Sequence, residues 1–537
     1  MSRLFLFAIG GTGARVVRSL TMMLASGVDG LDSSTEIVPI IIDYDLSNGD
    51  KTRAIRALNQ YSRIHQSLYA DTASDKQYKD HFFMTTIKPL SQTGVAAGAG
   101  GAKLKDFEFN FGPAGFLNTS RKRELKDFEF NFGPAGTSQK FSDYLNKSAL
   151  NAVPGAKLTE QLLYALYDNS ESNCPNAELE LDMAKGFKGN PNIGSVVFHD
   201  LRESAEFKQF SGTFNDAKDK VFIVSSIFGG TGASGFPEIV NAIHASNLPS
   251  MQSPIIGSAL VLPYFDLQPY HPEKGDVGAI DAASFNAKTR AALSFYGVPN
   301  GINSKVNALY YIGDENHDSY DYNEGEDRQK NAAHVVEFVA ASAIIDFLKG
   351  NVTYTDHYAY EFSVRDEKKG QSIQLPDFYD STHTLFLDNL SAFVMAMKYY
   401  RDVICGDRDK ISDRTAFYSN NRFGLSSKLG KGVYQLLDDF LNVGYNDAGD
   451  WAFYPWLKEL QEHSHKLYPY VVDKTKKMKE VLSHKTIELP WGKSNPIKDS
   501  VISEELNKKS TGLGNYSAQT FFEILRDVMN AKYNQVK

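Results

Sequence analysis

The chain has 537 residues, enough for about three average domains or for one large and one small domain. Its 42% hydrophobic and 23% charged residues are typical of an ordinary globular protein with an ample core. The formal net charge of −8 provides no broad basic surface, which argues against nucleic acid as the main partner. Two distant cysteines, Cys174 and Cys405, indicate no disulfide framework and suit a cytoplasmic setting. No apolar run approaches the length of a membrane span, so none is expected.

Residues 3–23 predict a strand, a glycine turn and a helix. Residues 4–9 form a continuous apolar run, as in a parallel strand that is covered on both faces. The turn that follows consists of Gly10, Gly11, Thr12 and Gly13. Glycines allow backbone N–H groups to approach a phosphate, and the helix dipole favours negative charge there. The alternative is a dinucleotide-binding Rossmann motif, but the GxGxxG/A spacing fails because Val16 stands at its sixth position.

Residues 36–50 predict a second parallel strand that ends in Asp43 and Asp45. Acids at the carboxyl end of a strand stand where ligands bind in open α/β sheets. In a Rossmann enzyme Asp43 would bind a ribose. Magnesium favours one or two carboxylates together with phosphate oxygens, so Asp45 is a candidate metal ligand, with a solvated loop acid as the alternative.

Residues 51–177 are the least regular part of the chain. A helix is expected near residues 51–67, and an Ala/Gly-rich segment follows at 94–103. The sequence LKDFEFNFGPAG then occurs twice without change, at 104–115 and 125–136. Its alternating phenylalanines predict a tandem duplication that forms a hairpin or paired strands. The alternative is an exposed aromatic edge that extends the sheet of a neighbouring subunit.

Residues 178–198 predict a short strand at 178–182, a loop and a helix. The small and turn-forming residues of this loop include Gly186, Gly189, Asn190, Pro191 and Gly194. Taken alone, this loop would be an ordinary Asn-Pro turn.

Residues 219–243 repeat the pattern of strand, glycine loop and helix. The strand spans residues 221–226, and Pro237 stands near the first helical turn. The loop between them carries Gly229, Gly230, Thr231, Gly232, Ala233, Ser234 and Gly235. This arrangement predicts an anion site at a helix N-terminus. A generic glycine-rich turn in another nucleotide-binding fold remains the alternative.

Together these loops resemble those of the tubulin/FtsZ family of GTP-binding proteins. The family carries a GGGTG(S/T/A)G-like loop, and here Phe228 stands at its first glycine before GGTGASG. The loop at 186–194 is similar to the FtsZ loop GxGAGxNPxxG, which holds the γ-phosphate. The resemblance implies that residues 10–13 contact the α- and β-phosphates and that Asp45 lies near magnesium. It covers roughly residues 3–49 and 178–350.

The middle of the chain continues this resemblance. Residues 254–268 predict another buried strand, which ends in Pro263-Tyr-Phe-Asp266 and is similar to the family's strand whose following loop runs past the ribose. Residues 328–348 form the clearest amphipathic helix and resemble the family's central helix, whose N-terminal end meets guanine. The resemblance implies that Asn331 and His334 contact the base, although the family has Asp where His334 stands.

The remainder departs further from the family. FtsZ follows its central helix with an acid that helps to hydrolyse GTP on the neighbouring subunit. Asp356 or Glu361 is the candidate here, although the spacing does not match. The pattern then predicts mainly helices, at 388–405, 426–442, 451–466 and 517–535.

The sequence therefore predicts an α/β fold with a mostly parallel sheet of the tubulin/FtsZ GTPase type. A nucleotide-binding domain would span residues 1–350, with an insertion at about 67–177, and a mainly helical region would span 351–537. The resemblance implies GTP/GDP and Mg²⁺, hydrolysis completed between subunits, and a head-to-tail filament or oligomer. The insertion and C-terminal helices would bind protein partners. Two alternatives stay open: a nucleotide switch or scaffold that neither polymerises nor hydrolyses, and a Rossmann-type NAD(P)-dependent oxidoreductase.

Overall fold

The computed structural model describes most of the chain, with gaps. The described residues are 2–28, 31, 35–45, 47–69, 81–93, 128, 140–145, 156–167, 178–268, 284–314, 318–321, 326–350, 358–361, 373–374, 380–405, 423, 432–444, 447–468, 499–514 and 516–536.

One parallel sheet organises the described residues. Its strands are β1 (Ser2–Ile9), β2 (Thr35–Ile42), β3 (Thr86–Ile87), β4 (Lys220–Ser226), β5 (Ile255–Val261), β7 (Ala308–Ile312) and β9 (Tyr358–Glu361). Their order is β3-β2-β1-β4-β5-β7-β9, and every pairing is parallel. Two small parallel pairs lie outside it: β6 (Phe265–Leu267) with β8 (Asp318–Tyr320), and β10 (Ile373–Gln374) with β11 (Leu467–Tyr468). The predicted α/β class with a parallel sheet is confirmed.

Helices follow most of the strands and make up most of the described residues of the C-terminal region, as predicted. The first seven are α1 (Gly10–Ala25), α2 (Gly49–Tyr69), α3 (Phe141–Tyr144), α4 (Ala156–Leu166), α5 (Pro191–Phe198), α6 (Ala205–Thr213) and α7 (Gly230–His244). The next two are α8 (Phe285–Tyr296) and α9 (Val335–Lys349). The C-terminal helices are α10 (Asp380–Tyr399), which continues as a π-helix over Tyr400–Cys405, α11 (Val433–Leu441), α12 (Phe453–Glu459), α13 (Asp499–Ser510) and α14 (Ala518–Val536).

The sheet separates two hydrophobic cores. Alternate residues of a strand point to opposite faces, so the apolar run of β1 supplies both cores. Leu4 and Leu6 pack in one core with α1, α2, α9 and the C-terminal helices. Phe5 and Phe7 pack in the other core with α5, α6 and α7. This two-sided burial explains why the first strand contains no alternating polar residues.

The chain reverses its direction of travel across the sheet at β1. Strand β2 lies on one side of β1, and β4 lies on the other, with Leu4 paired to Lys220. In open α/β sheets, ligands bind at the carboxyl ends of the strands where the strand order reverses in this way. The loops that follow β1, β2 and β4 therefore meet at one edge of the sheet.

Several predicted elements need correction. Residues 178–182 do not form a strand: Glu178–Glu180 is a 3-10 turn, and beyond it only an isolated bridge joins Asp182 to Lys140. Leu179 and Leu181 are buried in alternation, which imitates a strand without a neighbouring strand to pair with. The central helix begins at Val335 rather than at 328, because residues 329–334 are not helical. The helix predicted at 451–466 is shorter, and α13 was not predicted.

Other predictions fall outside the described residues. They include the Ala/Gly-rich segment and nearly all of both LKDFEFNFGPAG copies. The exception is Phe128, which is buried and whose carbonyl oxygen accepts a hydrogen bond from the Ile41 backbone N–H at 2.9 Å. Among the helices of the described residues, none combines the length and the hydropathy that crossing a bilayer requires.

Candidate functional site

A cavity lies at the carboxyl ends of β1, β2 and β4. Many of the residues predicted for ligand binding line it: Gly10, Gly11, Thr12, Asp43, Asp45, Gly186, Gly189, Gly229, Gly230, Thr231, Gly232 and Asn331. These residues come from distant parts of the sequence, and the sheet topology brings them together.

The loops after β1 and β4 form adjacent walls of this cavity. Gly10 has a φ of +71°, which favours glycine, and a Cβ placed on it would lie 3.6 Å from the Thr231 Cβ. Helix α1 begins at Gly10 and α7 begins at Gly230, and neither helix has an acidic residue in its first turn. Two helix N-termini therefore present unneutralised partial positive charge to the same cavity.

The loop at 185–190 forms a third wall. A Cβ placed on Gly230 would lie only 3.1 Å from the Gly189 amide nitrogen, so this loop crosses directly over the start of α7. On its other side, Gly186 approaches Asp45, with 3.9 Å between an ideal Cβ and the Asp45 Cβ. Lys185 and Lys188 of the same loop also line the cavity. This wall adds formal positive charge to that of the helix N-termini.

Two acidic residues, Asp43 and Asp45, line the same cavity. The Asp45 backbone N–H donates to Asp43 Oδ1 at 3.1 Å, and Ser47 donates to Asp45 Oδ1 through its backbone N–H at 3.0 Å. Burial raises the pKa of Asp43 to about 7, with the Lys51 charge opposing this and the Asp45 charge adding to it. Buried carboxylates of this kind suit Mg²⁺, which prefers oxygen ligands.

Arg15 forms part of the cavity wall and is itself almost fully buried. Its guanidinium donates to Asp50 Oδ2 at 2.6 Å and to the Tyr264 hydroxyl at 2.8 Å, and it also pairs with the Glu337 carboxylate. Asp50 in turn accepts from Arg53 at 2.5 Å. A buried network of ion pairs therefore supports the cavity from the side of α1, α2 and α9.

Side-chain amides line the cavity above this network. Asn48 donates to Gln329 Oε1 at 3.1 Å and accepts the Asp50 backbone N–H at 2.9 Å. The backbone of Asn331 is held on both sides: its N–H donates to Asp50 Oδ1 at 3.1 Å, and its carbonyl accepts from Arg53. Within the described part of the chain, the Asn331 side-chain amide makes no hydrogen bond, so it can serve a ligand.

An aromatic wall completes the cavity. The ring of Phe228 lies 4.9 Å from that of Phe285 and 5.6 Å from that of Phe265, centroid to centroid. All three rings belong to residues that line the cavity. Phe228 directly precedes Gly229, so it places apolar surface beside the glycine loop, where a planar group could pack.

Other predicted residues support the walls without lining the cavity: Gly13, Asn190, Gly194, Ala233, Ser234, Gly235 and Pro263. A Cβ on Gly13 would meet the Ala8 backbone at 2.6 Å, and one on Gly194 would meet Ser234 Oγ at 2.2 Å. These glycines permit close packing of α1 on β1 and of α5 on α7. The Ser234 hydroxyl donates a hydrogen bond to the Gly230 carbonyl oxygen at 2.7 Å.

The predicted contact between His334 and a base requires correction. His334 is fully buried and does not line the cavity. Its Nδ1 accepts the Val336 backbone N–H at 3.1 Å, and Glu337 accepts the His334 backbone N–H at 3.1 Å, so the residue caps α9. Because Nδ1 accepts, the neutral ring carries its proton on Nε2, which lies 3.3 Å from Asp318 Oδ2. Both ring nitrogens therefore face protein groups.

His334 belongs to a cluster with Asp318 and His463, whose nitrogen and oxygen atoms lie within 4.8 Å of one another. A metal ion at this point would need the Nε2 lone pair of His334, but the helix cap leaves the proton there. Burial opposes ionisation of Asp318, yet hydrogen bonds from His334 and Ser464 hold the pKa of its carboxyl well below the usual range. The geometry is that of a hydrogen-bonded cluster between β8 and the C-terminal region.

Neither predicted catalytic acid, Asp356 or Glu361, is among the described residues that line this cavity. Asp356 lies outside the described residues. The backbone of Glu361 ends strand β9, paired with Tyr311 at the edge of the sheet, and its side chain is not described. The prediction that one of them acts on a neighbouring subunit remains a prediction.

Sequence reasoning missed several lining residues, among them Arg15, Asn48, Lys185, Lys188 and Gln329. Arg15 carried a usable signal, since it lies one turn after Thr12 on a helix that was predicted. Lys188 also carried one, since it lies within the predicted loop at 186–194, and Lys185 directly precedes that loop. Gln329 carried none, because it was placed inside the predicted central helix.

We expect Gly232→Ala to destabilise the protein by about 2 kcal/mol, since a Cβ at this position would lie 2.2 Å from the Ser226 carbonyl oxygen. That atom belongs to the backbone and cannot rotate away. Gly212→Ala, in α6, is the matched control because its Cβ would meet no atom within 4 Å, so it should be neutral or stabilising. Urea unfolding measures both. Equal effects of the two substitutions would contradict the close approach of α7 to β4.

Fold and site together define an α/β protein with a glycine-lined cavity at the reversal of strand order. In comparisons with known proteins, no family model matches the chain and no curated protein does so either.

Proposed function

We propose that this cavity binds GTP or GDP with Mg²⁺, and that the chain hydrolyses GTP in a reaction coupled to self-assembly into filaments. One observation carries the proposal: three glycine loops and two helix N-termini surround one cavity, beside two buried carboxylates. Backbone N–H groups and helix dipoles bind phosphates, while carboxylates bind the magnesium that accompanies them. GTP itself, and the coupling to assembly, follow from the tubulin/FtsZ resemblance.

The walls suggest how the nucleotide would be oriented. Its α- and β-phosphates would bind at the loops that begin with Gly10 and Gly229, with the terminal phosphate toward Lys185 and Lys188. Magnesium would bind at Asp45, with Asp43 beside it. The base would pack against the aromatic wall and meet the Asn331 amide, which offers both a donor and an acceptor.

The reaction would be a direct transfer of the γ-phosphoryl group to water. Water attacks the γ-phosphorus, the bond to the bridging β–γ oxygen breaks, and GDP and phosphate leave. The chain's contribution would be positioning and charge stabilisation by the loops. Asp356 or Glu361 of a neighbouring subunit would orient the water, which makes turnover depend on assembly.

Phosphate release from GTP, measured with magnesium over a range of protein concentrations, tests the proposal. We expect the rate per molecule to rise above a threshold concentration, because subunits would complete each other's sites. Asp45→Asn should raise the magnesium concentration that is needed for half-maximal phosphate release, because a metal ligand is lost. Asp447→Asn, at an exposed position, should leave that concentration unchanged. Bound GTP without release at any concentration would instead favour a non-hydrolysing switch or scaffold. Failure to bind GTP would overturn the proposal.

A second candidate function is dinucleotide binding. The strand order β3-β2-β1-β4-β5-β7 is the order of dinucleotide-binding folds, and Asp43 follows β2, where such folds carry the acid for a ribose. This reading predicts an NAD(P)-dependent oxidoreductase. A change in NADH or NADPH fluorescence on adding protein would support dinucleotide binding. No change in fluorescence, at concentrations high enough to saturate a millimolar site, would exclude this second candidate function.

A further inference from the structure

One carboxylate of the C-terminal region binds three elements next to the cavity: α1, α2 and the segment before α9. Glu459, the last residue of α12, accepts from Arg18 of α1 at 2.6 Å and from Arg53 of α2 at 3.1 Å. It also accepts the Ala333 backbone N–H, just before α9, at 2.8 Å. Arg18 and Arg53 are almost fully buried, so their charges need compensation from nearby carboxylates.

Further contacts hold the same C-terminal segment in place. Arg18 donates to the Asp450 carbonyl at 2.8 Å, and the Trp456 indole N–H donates to Ser19 Oγ at 3.0 Å. His463 Nε2 lies 2.9 Å from the Ala333 carbonyl oxygen. The segment at 450–463 is therefore bonded to α1 and to the residues that precede α9.

These contacts lead to Asn331, which is one of the residues that line the cavity. Arg53 donates to the Asn331 carbonyl with one nitrogen and to Glu459 with another. Glu459 also fixes Ala333, two residues further along. The backbone around Asn331 is thus held directly by Arg53 and Asp50, and Glu459 fixes both Arg53 and Ala333. Among the described residues, the loops at Gly10, Gly186 and Gly229 form no hydrogen bond or ion pair with the Glu459 side chain, whose partners are Arg18, Arg53 and Ala333.

We propose that Glu459 is a positioning residue for base recognition: it holds the segment that presents Asn331 to the nucleotide. The helical C-terminal region would thereby determine which base the site accepts, while the glycine loops bind the phosphates independently of it. This inference rests on the proposed nucleotide function.

The test compares Glu459→Gln with Glu462→Gln. Glu462 lies on the same segment, is exposed and pairs with the exposed Lys458 at 3.6 Å, so it serves as the matched control. Dissociation constants of magnesium-GTP and magnesium-tripolyphosphate are measured by calorimetry. We expect Glu459→Gln to weaken GTP binding about tenfold or more and tripolyphosphate binding less than about twofold. Glu462→Gln should change both by less than about twofold.

Each other outcome has a defined meaning. Unchanged GTP binding in Glu459→Gln, or an equal loss of both ligands, would overturn the inference, since a general structural defect would affect both. Tripolyphosphate binding by the wild type without GTP binding would overturn the proposed function instead.

A double-mutant cycle keeps the inference testable if Glu459→Gln folds poorly. Glu459→Asp retains the charge that Arg18 and Arg53 need but shortens the side chain, so it should also lower the GTP-to-tripolyphosphate selectivity. In an Asn331→Ala background it should lower that selectivity no further, because the group through which it acts is gone. Additive losses would contradict a role through Asn331.

Discussion

Replacing Arg15 by methionine should lower the free energy of unfolding by about 3–5 kcal/mol. The guanidinium compensates Asp50 and Glu337, and both of these carboxylates are fully buried. Methionine fills much of the volume but leaves Glu337 without its cation and Asp50 with Arg53 alone. A buried charge without a partner costs much more than a lost surface contact. Urea unfolding of the ligand-free protein measures the change.

Two comparisons isolate the electrostatic cause of this effect. Lys208→Met removes an exposed ion pair with Glu203, which solvent screens, and should leave the free energy of unfolding nearly unchanged. Adding Glu337→Gln to Arg15→Met should recover part of the lost stability, because the orphaned charge is removed. A loss below about 1 kcal/mol for Arg15→Met, or no recovery in the double variant, would show that the network is not the support described for the cavity.

Asp43→Asn should stabilise the metal-free, nucleotide-free protein increasingly as the pH rises. Burial raises the pKa of Asp43 to about 7, whereas an unfolded chain has a value near 4. Between these values the folded state holds a proton that the unfolded state has released, so wild-type stability falls with rising pH. Asparagine stays neutral throughout. The advantage of the variant should therefore grow by roughly 3 kcal/mol from pH 5 to pH 8 and level off above.

The measurement is urea unfolding of wild type and variant at several pH values in the presence of a chelator. The chelator matters because a bound cation would offset the charge of Asp43. Asp447→Asn, at an exposed site, controls for the change in net charge and should show no such trend. A constant difference between Asp43→Asn and wild type across this pH range would mean that Asp43 ionises as it does in water.

The sequence predicted the elements that carry strong local signals. Continuous apolar runs such as that of β1 have one good structural solution, a strand covered on both faces, and the glycines that follow mark the turns. The false strand at 178–182 shows the limit of this logic. The alternation of apolar Leu179 and Leu181 with polar residues shows only that one side of this segment is buried. A 3-10 turn can bury one side just as a strand can, so the pattern does not distinguish the two.

The site was predictable where backbone chemistry defines it and unpredictable where long-range contacts do. Glycine loops can be recognised from the local sequence alone, and most of those at the cavity were predicted. Whether a particular glycine faces the ligand or a neighbouring helix depends on packing partners far along the chain, as with Gly194 against Ser234. The same limit applies to His334: its imidazole suits a base contact in isolation, but Asp318 and Val336 already use it.

The position of β1 between β2 and β4 has a consequence for synthesis on the ribosome. Strand β2, one neighbour of β1, is made soon after it, but the other neighbour consists of residues 220–226. At about 5–20 residues per second, the intervening chain takes roughly 10 to 40 seconds to be made. Throughout that interval β1 exposes an unpaired edge of consecutive apolar residues, a template for association with other nascent chains. The central strand β1 therefore completes its pairing only after β4 has been synthesised. The yield of folded protein in cells should depend on chaperones that cover the free edge of β1 during translation.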